Sequence, residues 1–201
     1  MNVGVLVSGS GTNLQAILDA ERAGELGSAK VVLVLSNVAG VRALERAKAA
    51  GVTTEVLAHK GFSSRQAFDE ALIGKLREHG VELVALAGFM RLLTPAFLGA
   101  FPGRVMNIHP ALLPAFPGIH SQKQALEYGA RVTGCTVHFV DDGCDTGPII
   151  AQAAVPVLDG DDEATLGARI LVEEHRLYPA AIRAVADGRV RVEGRRVKIA
   201  P

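Results

Sequence analysis

The sequence predicts an α/β fold: a single doubly wound, mostly parallel sheet with helices on both faces and an antiparallel addition toward the C-terminus. Three observations predict it. Short apolar runs alternate with amphipathic stretches along most of the chain. The apolar runs are β-branched and unalternating, as strands covered on both faces require. Near the end, two longer strand-like runs follow one another before a long helical stretch.

Taken in order, "VGVLVS" (Val3 to Ser8) is a short strand that ends in Gly and Ser, and "TNLQAILDAERAG" sets Leu14, Ile17 and Leu18 at helical spacing. "KVVLVLS" (Lys30 to Ser36) is a second buried strand. "VRALERAKAAG" is a helix that Gly51 caps at its C-terminus. "TTEVLA" is the third strand. In "SSRQAFDEALIGKLREHG", Ser63 stands three residues before Gln66, the spacing of a capping box. "VELVALAGF" and "RVMNIH" are the fourth and fifth strands, and "SQKQALEYG" is a short helix behind a proline loop. "VTGCTVHFV" and "GPIIAQAAVPV" are the two longer strands. Pro179 should bend or divide the long helical stretch from "DEATLGARI" to "AVADG". "RVRVEGRRVKI" closes as a hairpin or an edge strand. With no linker, low-complexity tract or repeat, residues 1–201 are expected to form one domain.

Composition removes several classes of function. Lys+Arg and Asp+Glu both number 21, so no basic excess points to nucleic acid. Hydrophobic residues make up 49% of the chain, ample for one core, and no apolar run approaches the roughly 20 residues of a membrane helix. "MNVGVLVSGSG" reads as a first strand, not as a signal peptide. Cys135 and Cys144 show neither metal-ligand spacing nor a disulfide framework. The expectation is a cytoplasmic protein with no metal, no nucleic-acid partner and no membrane, either monomeric or a homodimer.

Ligands of doubly wound sheets sit beyond the carboxyl ends of the strands. Those ends are Ser8–Gly11, Ser36–Asn37, Gly88–Arg91 and Asn107–Pro110. In "SGSGTN", Gly9 and Gly11 let the backbone approach a ligand, and the first turn of the following helix offers free N–H groups to an anion. An ordinary turn capped by Thr12 or Asn13 has the same composition. Leu14 breaks the G-x-G-x-x-G pattern, and no acidic residue ends the second strand. No Lys is present for a phosphate-binding P-loop. A monophosphate fits better than a dinucleotide.

Strand alternation projects Asn107 and His109 to one side, and Pro110 ends the strand behind them. Three prolines (Pro110, Pro114 and Pro117) stiffen the loop that follows. An amide donor beside an imidazole suits acyl or formyl transfer, where an oxyanion must be stabilised and a proton moved. The commoner fate of such a pair is to satisfy buried carbonyls. A carboxylate would orient the imidazole, and "DDGCDTGP" offers Asp141, Asp142 and Asp145, all three also explicable as turn residues. His120 is a second candidate imidazole. His138, between Val137 and Phe139, reads as a strand side chain, and Cys144 as an incidental thiol.

The combination "SGSGTNLQAIL", "LAGFMRLLTPAFL", "NIHPALLPAFPGIHSQKQALEYG" and "HFVDDGCDTGPII", in this order, resembles the folate-dependent phosphoribosylglycinamide formyltransferase family. The likeness runs from the first strand through "EEHRLYP". It implies a formyltransferase-like fold and transfer of formyl from 10-formyltetrahydrofolate to the amine of glycinamide ribonucleotide. It also implies Asn107, His109 and Asp145 as the catalytic trio, Asp145 favouring the cationic form of His109. By the same resemblance Gly11, Thr12 and Asn13 hold the substrate phosphate, and Glu174 contacts the glycinamide end. Met90, Arg91, Leu92 and Leu93 line the pterin site. Arg65 lies near the folate's anionic tail, and the loop of Asp141, Asp142, Gly143, Cys144 and Asp145 closes over the pterin. A cis peptide is implied before Pro114. Gly143 and Cys144 are a weak departure from the family pattern and make this loop unusually flexible and small. Transfer to tRNA and hydrolysis of the donor, reactions of related families, are disfavoured by the short, non-basic chain and by the phosphate-type loop.

Overall fold

A computed structural model describes residues 1–201. Its main sheet has seven strands in the order β3-β2-β1-β4-β5-β6-β7. These are β1 (Asn2–Val7), β2 (Lys30–Ser36), β3 (Thr53–Val56), β4 (Leu83–Leu86), β5 (Val105–His109), β6 (Val132–Phe139) and β7 (Ile149–Pro156). β1 to β5 pair in parallel, β6 runs antiparallel to β5, and β7 runs antiparallel to β6. β8 (Val190–Glu193) and β9 (Arg196–Ile199) form a separate hairpin. The helices are α1 (Thr12–Arg22), α2 (Arg42–Ala49), α3 (Arg65–Glu78), α4 (Pro95–Ala100), α5 (Ser121–Tyr128) and α6 (Glu163–Ala186).

Strand alternation divides the core in two. Val3, Val5 and Val7 of β1 and Leu83 and Ala85 of β4 pack with α1, α2 and α6. Leu6, Val84 and Leu86 point the other way, into a smaller cluster with α3 and α4. Each of these buried Val and Leu side chains contributes about 1.5–3 kcal/mol relative to exposure, so both layers hold the sheet. Strand order reverses between β1 and β4, where the chain leaves the β2–β3 side for the β5 side. The carboxyl ends of β1 and β4 therefore open a crevice there.

Two local expectations change, and one helix is added to those read from the sequence. Ser64, not Ser63, caps α3, its side chain accepting from the Ala67 N–H. Pro179 does not divide α6, which runs unbroken through it. Packing of Leu166 and Ile170 before the proline and of Ile182 and Val185 after it holds one helix despite the lost backbone donor. "TPAFLGA", which shows no apolar period, forms α4 because Thr94 caps it and Pro95 opens its first turn.

Candidate active site

β5 sits between parallel β4 and antiparallel β6, so its end is flanked by two strands of opposite sense. Asn107 pairs with His138 and His109 with Thr136 across the β5–β6 ladder. Beyond His109 the chain enters the proline loop, and the Leu113–Pro114 peptide is cis. Polar side chains from β6 and β7 pin this loop. Thr136 Oγ1 donates to Ala111 O at 2.7 Å and accepts from Leu113 N–H at 3.0 Å. Gln152 Nε2 donates to Leu113 O and to Thr136 Oγ1, each at 2.9 Å. Ser121 Oγ reaches Pro110 O at 3.1 Å. The loop is thus tied to the sheet as well as stiffened by its prolines.

Asp145 is the hub of the site. Its Oδ2 accepts from Gly118 N–H at 2.8 Å and lies 3.3 Å from His109 Nδ1. Its Oδ1 faces Asn107 Nδ2 at 3.5 Å and His138 Nε2 at 3.6 Å. Burial alone would raise the carboxyl pKa. Hydrogen bonding from His138 and from the Gly118 N–H, with the charge of His109, outweighs that and brings it down to about 2. The other ring nitrogen of His109, Nε2, is 2.8 Å from the carbonyl of Phe116. The ring therefore faces two acceptors, a carboxylate and a carbonyl, which suits an imidazole carrying N–H on both nitrogens. The amide of Asn107 is held only by long contacts, to Asp145 and to His138 Nε2 at 3.3 Å, so it is free to turn toward a stronger acceptor.

The first loop forms a second focus. Gly11, with φ 70° and ψ 36°, precedes α1, and no side chain caps that helix. Neither Thr12 nor Asn13 therefore plays the capping role that an ordinary turn would give it. The N–H groups of Gly11, Thr12 and Asn13 donate to no protein acceptor. A cavity of about 190 Å³ lies against them, lined also by Ser8, Gly9, Ser10, Ala87, Gly88 and Met90. Asn13 Nδ2 donates to Glu174 Oε2 at 2.8 Å, and Asn13 Oδ1 is buried without a partner. Glu174 is only 6% exposed, so it does not lie on a solvated helix face. Burial raises its pKa, and the bond from Asn13 only partly opposes this.

The segment after β4 presents apolar surface. Met90 and Leu92 are 72% and 59% exposed, while Leu93 packs against the smaller core cluster. Arg91 stacks over the Phe68 ring, 5.0 Å from its centroid. Met90 N–H donates to Ser8 Oγ, which in turn donates to Asn37 Oδ1 at 2.6 Å, linking three strand ends. Arg65 opens α3, exposed. Asp141 closes its own turn, accepting from Gly143 N–H and Thr146 Oγ1, while Asp142 is exposed. Cys144 is exposed as a residue, but its sulfur lies 3.7 Å from Asp145, and partial desolvation there together with that carboxylate pushes its thiol pKa up, away from nucleophilic behaviour. His120 stands at the start of α5 beside Glu163, outside the cluster. His138 is the residue that reading the sequence missed. It is a strand side chain as expected, but one that faces Asn107 and Asp145.

The family model for formyl transferase matches residues 1–182. This chain belongs to the formyl transferase family. Among its relatives, the phosphoribosylglycinamide formyltransferase of Escherichia coli (strain K12) is 47% identical over 96% of this chain and 90% of its own length. The trifunctional purine biosynthetic protein adenosine-3 of Chironomus tentans is 50% identical over 94% of this chain, which spans only 14% of that longer protein. The glycinamide ribonucleotide transformylase 1 structure from Symbiobacterium toebii superposes with a TM-score of 0.98 at 56% identity, covering 100% of this chain and 94% of that one. The seven-stranded sheet and the terminal hairpin are thus features of a formyltransferase fold.

Proposed function

We propose that this chain transfers a formyl group from 10-formyltetrahydrofolate to the amine of glycinamide ribonucleotide, a step of purine biosynthesis. The convergence of Asn107, His109 and Asp145 at the end of β5 carries this reading. The phosphate of the nucleotide sits on the N–H groups of Gly11, Thr12 and Asn13, at the positive end of α1. Glu174, joined to Asn13, receives the glycinamide end. The exposed apolar side chains of Met90 and Leu92 suit one face of a flat heterocycle. Arg91 and the loop from Asp141 to Asp145, with Asp142, Gly143 and Cys144, border the same donor. Arg65 stands toward its anionic tail.

As the amine adds to the formyl carbon, the formyl oxygen gains negative charge. The Asn107 amide donates to it, and the cationic ring of His109 stabilises it. Asp145, ionised down to about pH 2, keeps that ring oriented and its charge compensated. His109 then supplies the proton that the departing folate nitrogen needs as the carbon–nitrogen bond to folate breaks and the oxyanion collapses, and the proton shed by the added amine restores the imidazole. No metal enters this scheme. We take residues 1–201 as one domain, the hairpin included, because Arg195 Nη2 donates to Thr146 O at 2.8 Å and ties the hairpin to the loop that carries Asp145.

A transfer assay with formylfolate and glycinamide ribonucleotide, beside a control lacking the acceptor, tests the reading. Replacing Asn107 by Ala should lower kcat by about 10²–10³-fold and leave stabilisation by phosphate intact. Full activity in that variant, or formate release that needs no acceptor, would overturn it.

A further inference from the structure

We propose that Arg46 is a positioning residue for phosphate recognition, holding the Ser10 carbonyl back so that the Gly11 N–H is presented to the substrate's phosphate. This rests on the phosphate reading above and adds a residue from outside the loop. Arg46 lies on α2, and its Nε donates to Ser10 O at 2.9 Å. Its Nη1 donates to Gln15 Oε1 at 3.0 Å. No carboxylate forms an ion pair with it, so its charge remains available to the loop.

The geometry of the peptide unit carries the argument. In a trans peptide the carbonyl and the following N–H point in opposite directions. Three successive carbonyls of the loop are drawn away by partners. Gly9 O accepts from Ala43 N–H at 3.2 Å, Ser10 O from Arg46, and Gly11 O from Gln15 N–H at 2.9 Å. The N–H groups of Ser10, Gly11 and Thr12 must therefore face the other way, and none of them donates to protein. Successive N–H groups turned to one side form a nest for an anion. Two of the three carbonyl partners are main-chain groups, and Arg46 is the one side chain among them. The Ser10–Gly11 peptide is one that can flip, because the residue after it is a glycine. If it flipped, a carbonyl oxygen would be turned toward the phosphate in place of a donor. Arg46 prevents the flip, and its charge lies behind the anion.

The rival role for the same contacts is that Arg46 only ties α2 to α1. The test separates the two with the whole chain, using glycinamide ribonucleotide, its dephosphorylated riboside, and inorganic phosphate as a thermal-shift probe. In Arg46→Met, KM for the nucleotide should rise about 10- to 100-fold, the range for losing a charge-assisted hydrogen bond. The melting shift induced by phosphate should disappear, with KM for the folate and turnover of the riboside unchanged. Arg46→Lys keeps the charge but cannot bridge Ser10 and Gln15, and should fall between the two. An unchanged KM for the nucleotide in Arg46→Met overturns the proposal. So does a parallel fall with the riboside, which marks a general structural role, or a Lys variant equal to the parent, which marks charge alone. Should the Met variant not fold, Gln15→Leu, which removes one of the two acceptors that hold the Arg46 guanidinium in place, should raise KM for the nucleotide and leave the riboside unaffected; equal effects on both overturn the proposal. A parent protein that neither uses the nucleotide nor responds to phosphate would defeat the phosphate reading itself. A responsive parent with an equally responsive Arg46→Met variant would defeat only the role of Arg46.

Discussion

Asp145 holds a left-handed backbone conformation, with φ 55°, which few residues other than Gly, Asn and Asp adopt readily. The conformation turns its carboxylate back into the cluster, where Gly118 N–H and two imidazoles meet it. Because its folded pKa is about 2, below the reference 3.8, its contribution to stability is present above pH 3.8 and is lost as pH falls toward 2. Asp145→Asn should therefore melt below the parent at pH 6, with the gap closing under acid, as calorimetry across that range would record. Glu174 has the opposite sign. Its raised pKa means the folded state holds the proton longer than the unfolded one, so it costs stability as pH rises above the reference 4.5. Glu174→Gln should gain melting temperature at pH 8 and gain none at pH 4, while losing turnover. At this scale, Asn107 and His109 were legible because strand alternation and a following proline fix their side. Resemblance alone chose Asp145 among three aspartates. His138 was hidden because the β5–β6 register is set by the tertiary fold, which single-strand patterns do not report.

Elements bring these residues together through their ends. Of the side chains that hold the loop after β5, Thr136 is the most connected, its Oγ1 meeting Ala111, Leu113 and Gln152. Thr136→Val should strand those buried partners at a cost of about 1–3 kcal/mol, read in urea, and should lower kcat by loosening the segment that carries Gly118. Gly11 joins two elements differently. A side chain there would meet Ala43 Cβ at 2.6 Å, and its φ of +70° disfavours any Cβ. Gly11→Ala should cost about 1–2 kcal/mol from conformation alone and raise KM for the nucleotide, as steady-state kinetics would show. The strands and most helices were readable from apolar period and caps. The exceptions are instructive: α4 is too short to show a period, and α6 survives Pro179 because packing on both sides of it outweighs the proline.

Across the whole molecule, the fold class was visible because strands buried on both faces have a distinctive composition. The order β3-β2-β1-β4-β5-β6-β7 was not spelled out, since pairing partners lie far apart in sequence. The two halves of the sheet meet at β1 and β4, and α6 locks the region beside that seam. Tyr178, fully buried on α6, donates its hydroxyl toward Leu86 O at 3.0 Å and Met106 O at 3.1 Å, bridging the last residue of β4 and the first half of β5. Removing that hydroxyl with Tyr178→Phe should lower global stability by about 1–3 kcal/mol, shifting the denaturant midpoint without changing the slope.

That same phenol gives the protein an optical gauge. The chain has two tyrosines and no tryptophan. Tyr128 is 82% exposed, whereas burial holds the Tyr178 phenol far above its ordinary ionisation range. Its phenolate can form only when the interior opens to water, so an ultraviolet difference spectrum in alkali would report breathing of the β4–β5 junction without any added dye.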